Sequence, residues 1–156
     1  MEERKNLVVK NIKKFRTDLL DKKVIEIAKL IRVKESTIRC YENELEIIPL
    51  KHLITIANEY GLSLDYLFGL KSYNVRYTKI DTASDNFDFL GENIRSKRKN
   101  KGLTLNKVAE DTRISRTSLS NYERGKNLIK TLYLSILVKY LDIDSIDKLF
   151  NRKEIK

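Results

Sequence analysis

The chain repeats itself at a spacing of about 81 residues, and this constrains its fold more than any single motif. Set "VIEIAKLIRVKESTIRCYEN" (Val24 to Asn43) above "LNKVAEDTRISRTSLSNYER" (Leu105 to Arg124) and the apolar positions coincide. Val24 meets Leu105, Ile27 meets Val108, Ala28 meets Ala109, Val33 meets Ile114, Ile38 meets Leu119 and Tyr41 meets Tyr122. The acid after the tyrosine, Glu42 or Glu123, matches as well, and Leu53/Leu134, Ile56/Leu137, Ala57/Val138 and Leu62/Ile143 keep the offset. One extra residue near Asp144 then brings "LDYLF" over "IDKLF", and one upstream in the first copy aligns "NIKKFR" with "NIRSKR". Two copies of one unit is the simplest explanation.

Each copy reads as five short helices, and the expected fold is all-α. In the second copy Gly102 ends a basic helix begun near Leu90. Thr104, Ser115, Thr131 and Ser145 each precede a periodic apolar segment and suit N-caps, because their oxygens can accept from the unpaired N–H groups of a first turn. In the first copy Pro49 suits the first turn of the helix carrying Leu53, Ile56 and Ala57, where a missing N–H costs nothing. Strand signals are almost confined to "YNVRYTKI" (Tyr73 to Ile80), ahead of the polar run "DTASDN". The expected organisation is a first domain over residues 1–70, a linker over 71–88 that holds at most a short extended segment, and a second domain over 89–156. A unit of about 65 residues has a small core and marginal stability, so packing of the two units on each other, or dimerisation, would help.

Composition narrows the function classes. The chain of 156 residues has no run of about 18 uncharged apolar residues, and its start, MEERKNLVVK, is acidic where a signal peptide is basic. A soluble, cytoplasmic protein without a membrane partner is expected. One cysteine, Cys40, and one histidine, His52, exclude an internal disulfide and a His/Cys zinc site, so neither metal nor cofactor is expected. There is no phosphate-binding glycine loop, His-based triad or carboxylate cluster on an apolar background, and no enzyme is expected. The net charge of +10 points to a polyanion. It is uneven: residues 1–75 carry 14 Lys+Arg against 11 Asp+Glu, and residues 76–156 carry 18 against 11.

The segment "ISRTSLSNYERG" (Ile114 to Gly125) shows where a polyanion would be met. Advancing about 100° per residue from Arg116 places Arg116, Ser120, Thr117 and Asn121 within about 140° of arc, with Tyr122 and Leu119 on the other side. One face suits a core. The other carries side chains able to hydrogen-bond base edges or phosphates, and arginine suits guanine in a major groove.

With Val108 and Ala109 before it and a tight break at Arg113, this stretch resembles the helix-turn-helix of the phage lambda repressor/Cro-like family, also called XRE. The resemblance extends to "LGENIRSKRKNKGLT" ahead of the motif and to "LDYLFG" closing the first copy. It implies two tandem five-helix, lambda-repressor-like DNA-binding domains and a sequence-specific regulator of transcription, a repressor by preference, with double-stranded DNA as partner. It further implies that the third helix of each unit reads bases, through Arg116, Thr117, Ser120 and Asn121 in the second copy and Glu35, Ser36, Arg39 and Cys40 in the first. Arg98 with Glu123, and Arg16 with Glu42, match a family pairing between helix 1 and the end of helix 3, a structural role.

The sequence departs from the family at two places. The glutamine that commonly opens helix 2 and braces a phosphate is Leu105 here and Val24 in the first copy, so the phosphate contacts fall to Asn106, Lys107 or Lys126, with Arg95 and Lys99 of the basic helix. The turn glycine is replaced by Arg113 and Arg32, which costs energy if that turn is left-handed.

The first copy also admits another role. Glu35 can accept from a cytosine amino group, but Glu35 and Arg39 stand four apart on one helix and can pair with each other, and Glu44 and Glu46 follow where a DNA backbone would approach. The alternative is a partner-binding regulator, antitoxin-like or anti-repressor, whose first unit serves dimerisation or holds another protein. Cys40 reads as a surface cysteine and His52 as a solvent-side residue of the fourth helix.

Overall fold

In a computed structural model the chain is described over residues 12–82 and 87–156; the acidic start, Asn11 of "NIKKFR" and residues 83–86 of the linker lie outside the described residues. The described chain holds ten α-helices and one isolated antiparallel bridge, Tyr77 to Glu154. The first unit comprises α1 (Ile12–Lys14), which continues as a π-helical turn (Phe15–Leu19), α2 (Val24–Ile31), α3 (Glu35–Glu42), α4 (Leu50–Tyr60) and α5 (Leu64–Leu67). The second comprises α6 (Asp88–Asn100), α7 (Leu105–Thr112), α8 (Arg116–Glu123), α9 (Thr131–Tyr140) and α10 (Ile146–Leu149). The all-α reading and the tandem repeat both hold.

Local chemistry starts these helices. Thr104 Oγ1 accepts from the Lys107 N–H at 3.1 Å, Ser115 Oγ from Ser118 at 3.0 Å, Ser63 Oγ from Tyr66 and Ser145 Oγ from Lys148, both at 3.2 Å. Each such cap is worth about 1 kcal/mol. The first unit's α2, α3 and α4 begin after Lys23, Lys34 and Pro49, and no side chain caps them through its own N-cap residue. Two expected positions shift. Pro49 precedes the helix as its N-cap rather than sitting inside the first turn. Thr131 is the first helical residue after Lys130, and its hydroxyl donates instead to the Ile48 carbonyl of the other unit at 2.6 Å, because that buried acceptor has to be satisfied.

The break between α7 and α8 is left-handed at Arg113 (φ 63°), and that between α2 and α3 is left-handed at Arg32 (φ 58°). Their N–H groups close the preceding helix on Ala109 and Ala28. Behind these turns Ile27, Ile38 and Leu53 of the first unit, and Val108, Leu119 and Leu134 of the second, are at most 2% exposed and belong to one continuous core. Gly91 brings α6 against the end of α8: a Cβ there would stand 2.4 Å from the Tyr122 carbonyl oxygen and 2.6 Å from that of Glu123.

The two units are joined by a reciprocal exchange of helix caps. Ser63 Oγ donates to Asp147 Oδ2 at 2.5 Å, while the Leu64 N–H donates to Asp147 Oδ1 at 2.8 Å and the Asp65 N–H to Oδ2 at 3.1 Å. In the other direction Ser145 Oγ donates to Asp65 Oδ2 at 2.7 Å and the Ile146 N–H to Asp65 Oδ1 at 2.6 Å. The carboxylate of each last helix thus receives N–H groups from the first turn of the other, which have no partner within their own helix and where the helix dipole favours negative charge. All four side chains are buried. Arg152 joins the same cluster, with Nη1 donating to Asp147 Oδ1 at 2.7 Å and to the Leu62 carbonyl at 2.9 Å, and its guanidinium lies over the Tyr77 ring.

The described part of the connecting segment is tied to both units. Asn58 clamps the Ile80 backbone on both sides, donating to its carbonyl at 2.9 Å and accepting from its N–H at 2.8 Å. Thr78 and Arg76 bond the Lys153 and Ile155 backbone, and Tyr77 and Ile80 are buried. Of the alternating stretch, Tyr77 and Ile80 are buried while Tyr73 is exposed and Val75 half-buried, and no sheet forms there beyond the one bridge.

Two outcomes follow from these strained and buried positions. Arg113→Gly removes a left-handed penalty of about 1 kcal/mol, so the midpoint of urea unfolding should rise, whereas Arg113→Val should lower it. Asp65 is held above the ordinary carboxylate range by burial, and by the neighbouring Asp147 charge, against the Ser145 and Ile146 donors. A folded pKa raised above the unfolded one contributes stability that is complete below the unfolded value and is lost as pH rises through the folded one. The stability of wild type relative to Asp65→Asn, measured by urea unfolding at a series of pH values, should therefore decline as pH rises from the ordinary carboxylate range toward neutrality.

Candidate nucleic-acid interface

The exposed face of α8 follows from what its other face buries. Leu119, Tyr122 and Glu123 are buried, while Arg116 and Thr117 are exposed and Ser120 and Asn121 half-buried. Of the four hydroxylated residues, Ser115 and Ser118 are used locally, hydrogen-bonded to each other at 2.8 Å in the cap. Thr117 and Ser120 remain on the outward face with Arg116 and Asn121.

A bidentate ion pair fixes that face relative to the basic helix. Arg98 Nε and Nη2 donate to Glu123 at 2.7 and 2.9 Å, and Nη1 donates to the Leu103 carbonyl at 2.7 Å. The carboxylate raises the guanidinium above its ordinary value. The first unit repeats the arrangement: Arg16 donates to Glu42 at 2.5 and 3.2 Å and to the Lys22 carbonyl at 2.9 Å. Each pair ties the first helix of its unit to the last turn of the third and to the loop that opens the second.

The residues assigned to phosphate fall into three situations. Asn106 lies with Arg116, Thr104 and Leu105 along one shallow groove of about 280 Å³, so the start of α7 and the start of α8 present a joint surface. Lys107 is engaged elsewhere: its ammonium pairs with Asp111 at 3.1 Å, and Asp111 also accepts from the Tyr140 hydroxyl at 2.5 Å. Those two contacts hold the Asp111 carboxyl below its ordinary range, and Asp111 pushes the Tyr140 phenol to about 12. Lys126, Arg95 and Lys99 are exposed. Arg95 and Lys99 stand about 60° and 100° round α6 from the buried Arg98. They lie on the flank opposite Asn93, whose amide donates to the Leu149 carbonyl of α10. Arg113 and Arg124, exposed at the two ends of α8, add charge that the wheel of the reading face leaves out.

On α3, Glu35, Ser36 and Arg39 are exposed and Cys40 is half-buried. Arg39 Nη2 stands 3.7 Å from Glu35 Oε1, an i,i+4 ion pair on the surface worth a few tenths of a kcal/mol. Such a pair is easily opened by a better partner for either side chain. His52 is half-buried on α4, and burial, then Lys51, lowers its pKa. Among the described residues no group of three His, Cys, Asp or Glu side chains could hold a metal ion, and no helix is long and apolar enough to cross a membrane.

The residues missed by pattern reading are those of the exchange between units. Ser63 and Asp65 in "SLDYLF" and Ser145 and Asp147 in "SIDKLF" are a repeated Ser-x-Asp, visible in the chain but indistinguishable there from two ordinary caps. Arg152 carries no such signal.

Because the Arg98–Glu123 side chains are nearly buried, removing one partner strands the other charge. Glu123→Ala should cost about 3 kcal/mol in unfolding free energy, measured by urea titration, and should loosen the second unit.

Comparison with known proteins agrees with the geometry. One helix-turn-helix family model matches residues 12–67, and a second, described as a helix-turn-helix domain, matches residues 91–155. The chain is also 40% identical over 70 residues to the antitoxin PezA of Streptococcus pneumoniae serotype 4, a match that spans 42% of this chain and 44% of the antitoxin. No solved structure gives a significant match. With left-handed turns at Arg32 and Arg113 between paired helices, the chain is a tandem pair of helix-turn-helix units of the lambda repressor/Cro-like type, the architecture of a DNA-binding regulator.

Proposed function

We propose that the protein is a sequence-specific repressor of transcription that inserts α8 into the major groove of duplex DNA. The observation that carries this reading is the division of α8 into a buried face, Leu119, Tyr122 and Glu123, and an outward face bearing Arg116, Thr117, Ser120 and Asn121. Arg116 suits the O6 and N7 acceptors of guanine, Asn121 the N6 and N7 groups of adenine, and the two hydroxyls either kind of edge. Asn106, beside Arg116, takes the bracing place near a phosphate, and Arg95, Lys99 and Lys126 supply charge to the backbone. Lys107 would meet a phosphate while shared with Asp111. Repression needs no more than occupancy: a domain seated on a promoter excludes what would otherwise bind there.

A second reading is favoured by the match to an antitoxin. In it one unit binds a protein partner while the other binds DNA, and the acidic residues Glu44 and Glu46 beyond α3 turn the first unit away from the phosphate backbone.

The test is duplex selection from a random library followed by titration. Arg116→Ala/Asn121→Ala should weaken binding to the selected site at least tenfold, since each good base contact is worth about 1 to 3 kcal/mol, while leaving the circular dichroism spectrum unchanged. Lys126→Ala should weaken all duplexes alike and make the slope of log affinity against log salt shallower by about 1. A double variant that binds the selected duplex as well as wild type would overturn the reading.

A further inference from the structure

The two units touch through equivalent parts of themselves. In the cap exchange, Ser63 and Asp65 of one unit meet Asp147 and Ser145 of the other, each at the corresponding place in the repeat. A second contact joins corresponding segments: an apolar groove of about 510 Å³ is walled by residues 47–51 on one side and 128–133 on the other, and all but Tyr133 are matching positions at the offset of 81. The Thr131 hydroxyl crosses it to the Ile48 carbonyl. Contacts between like and like are the signature of a two-fold axis, the isologous arrangement that identical subunits use in a dimer. Here the axis lies within one chain. The surface that a single unit would offer to a second copy is already occupied by its own repeat.

The consequence concerns α3 and α8. Residues 47–51 and 128–132 follow α3 and α8 closely in the chain, so the loops leaving the two helices converge on the axis and set the helices on either side of it. Duplex DNA has two-fold axes of its own, and successive major-groove faces recur about every 34 Å. A rigid two-fold protein can match them with both heads at once. Its heads, however, differ: Arg116, Thr117, Ser120 and Asn121 on one, Glu35, Ser36, Arg39 and Cys40 on the other. Resting on the reading of α8 as a major-groove helix, we propose that the protein is a single-chain pseudo-dimer that binds one duplex with both α3 and α8, reading an operator of dyad geometry whose two half-sites differ in sequence.

Rigid coupling separates this arrangement from two heads on a tether. The described linker is pinned by Asn58 and by residues 152–155, and the cap exchange is buried. The heads therefore have one spacing. A flexible tether would tolerate added base pairs, because its effective concentration falls slowly with span. A fixed pair would not, since five base pairs turn one half-site to the opposite side of the helix.

The experiment is selection from a random duplex library with wild type, Arg116→Ala/Asn121→Ala and Glu35→Ala/Arg39→Ala, then insertion of five base pairs between the halves of the selected site. The expected result is a bipartite, non-palindromic motif with halves centred about one helical turn apart. The α8 variant should alter one half and the α3 variant only the other. One chain should bind per duplex by sedimentation, and the insertion should weaken binding at least tenfold. A motif untouched by the α3 variant, a palindrome occupied by two chains, or a site indifferent to the insertion would overturn the pseudo-dimer and leave the α8 reading intact. No selected duplex at all from folded protein would overturn both.

Discussion

The cap exchange between the two last helices is the constraint on which the arrangement depends. A four-residue helix cannot satisfy its own N-terminal N–H groups, and a unit with so small a core has little stability to spare. Asp147 accepts from Leu64 and Asp65, and Asp65 accepts from Ile146, so each helix end is completed by the other unit. Two carboxylates are thereby buried at close quarters, at a desolvation cost that Arg152 and the serine hydroxyls offset. Losing one carboxylate would leave donors stranded on one helix, an asymmetry that makes the interface specific for its own register.

Inside each unit the Arg–Glu pair does the corresponding work. By joining the first helix to the end of the third, Arg98 and Glu123 fix which residues of α8 point inward, and so leave Arg116, Thr117, Ser120 and Asn121 on its outer face. Gly91 permits the close crossing that this geometry needs. The outward face is thus a by-product of packing: the side chains it presents are those the core has no use for.

Much of this was legible from the chain alone, for a physical reason. Helix periodicity and capping are local, so the buried positions Val108, Leu119 and Tyr122 and the caps at Thr104, Ser115 and Ser145 can be read from spacing. The Arg16–Glu42 and Arg98–Glu123 pairs were accessible through the family pattern. Thr131 was misread because a hydroxyl before an apolar run looks the same whether its acceptor is one turn ahead or in another unit. Residues 73–80 read as part of a linker with at most a short extended segment because their partners, Asn58 and the chain near 152–155, are remote in sequence. Lys107 and Asp111 stand four apart on one helix, so their pair is as legible as Glu35 with Arg39, whereas the Tyr140 hydroxyl that also engages Asp111 is brought there only by the fold.

The sequence by itself determined that there are two all-helical units, where the helices capped by Thr104, Ser115 and Ser145 begin, and which face of α8 is polar, because these depend on interactions between residues a few positions apart. The tertiary structure decided how the units meet. The Ser-x-Asp repeats become a two-fold clasp only when α5 and α10 are brought together, since a carboxylate's choice between its own helix and another's is set by distances the chain reaches on folding.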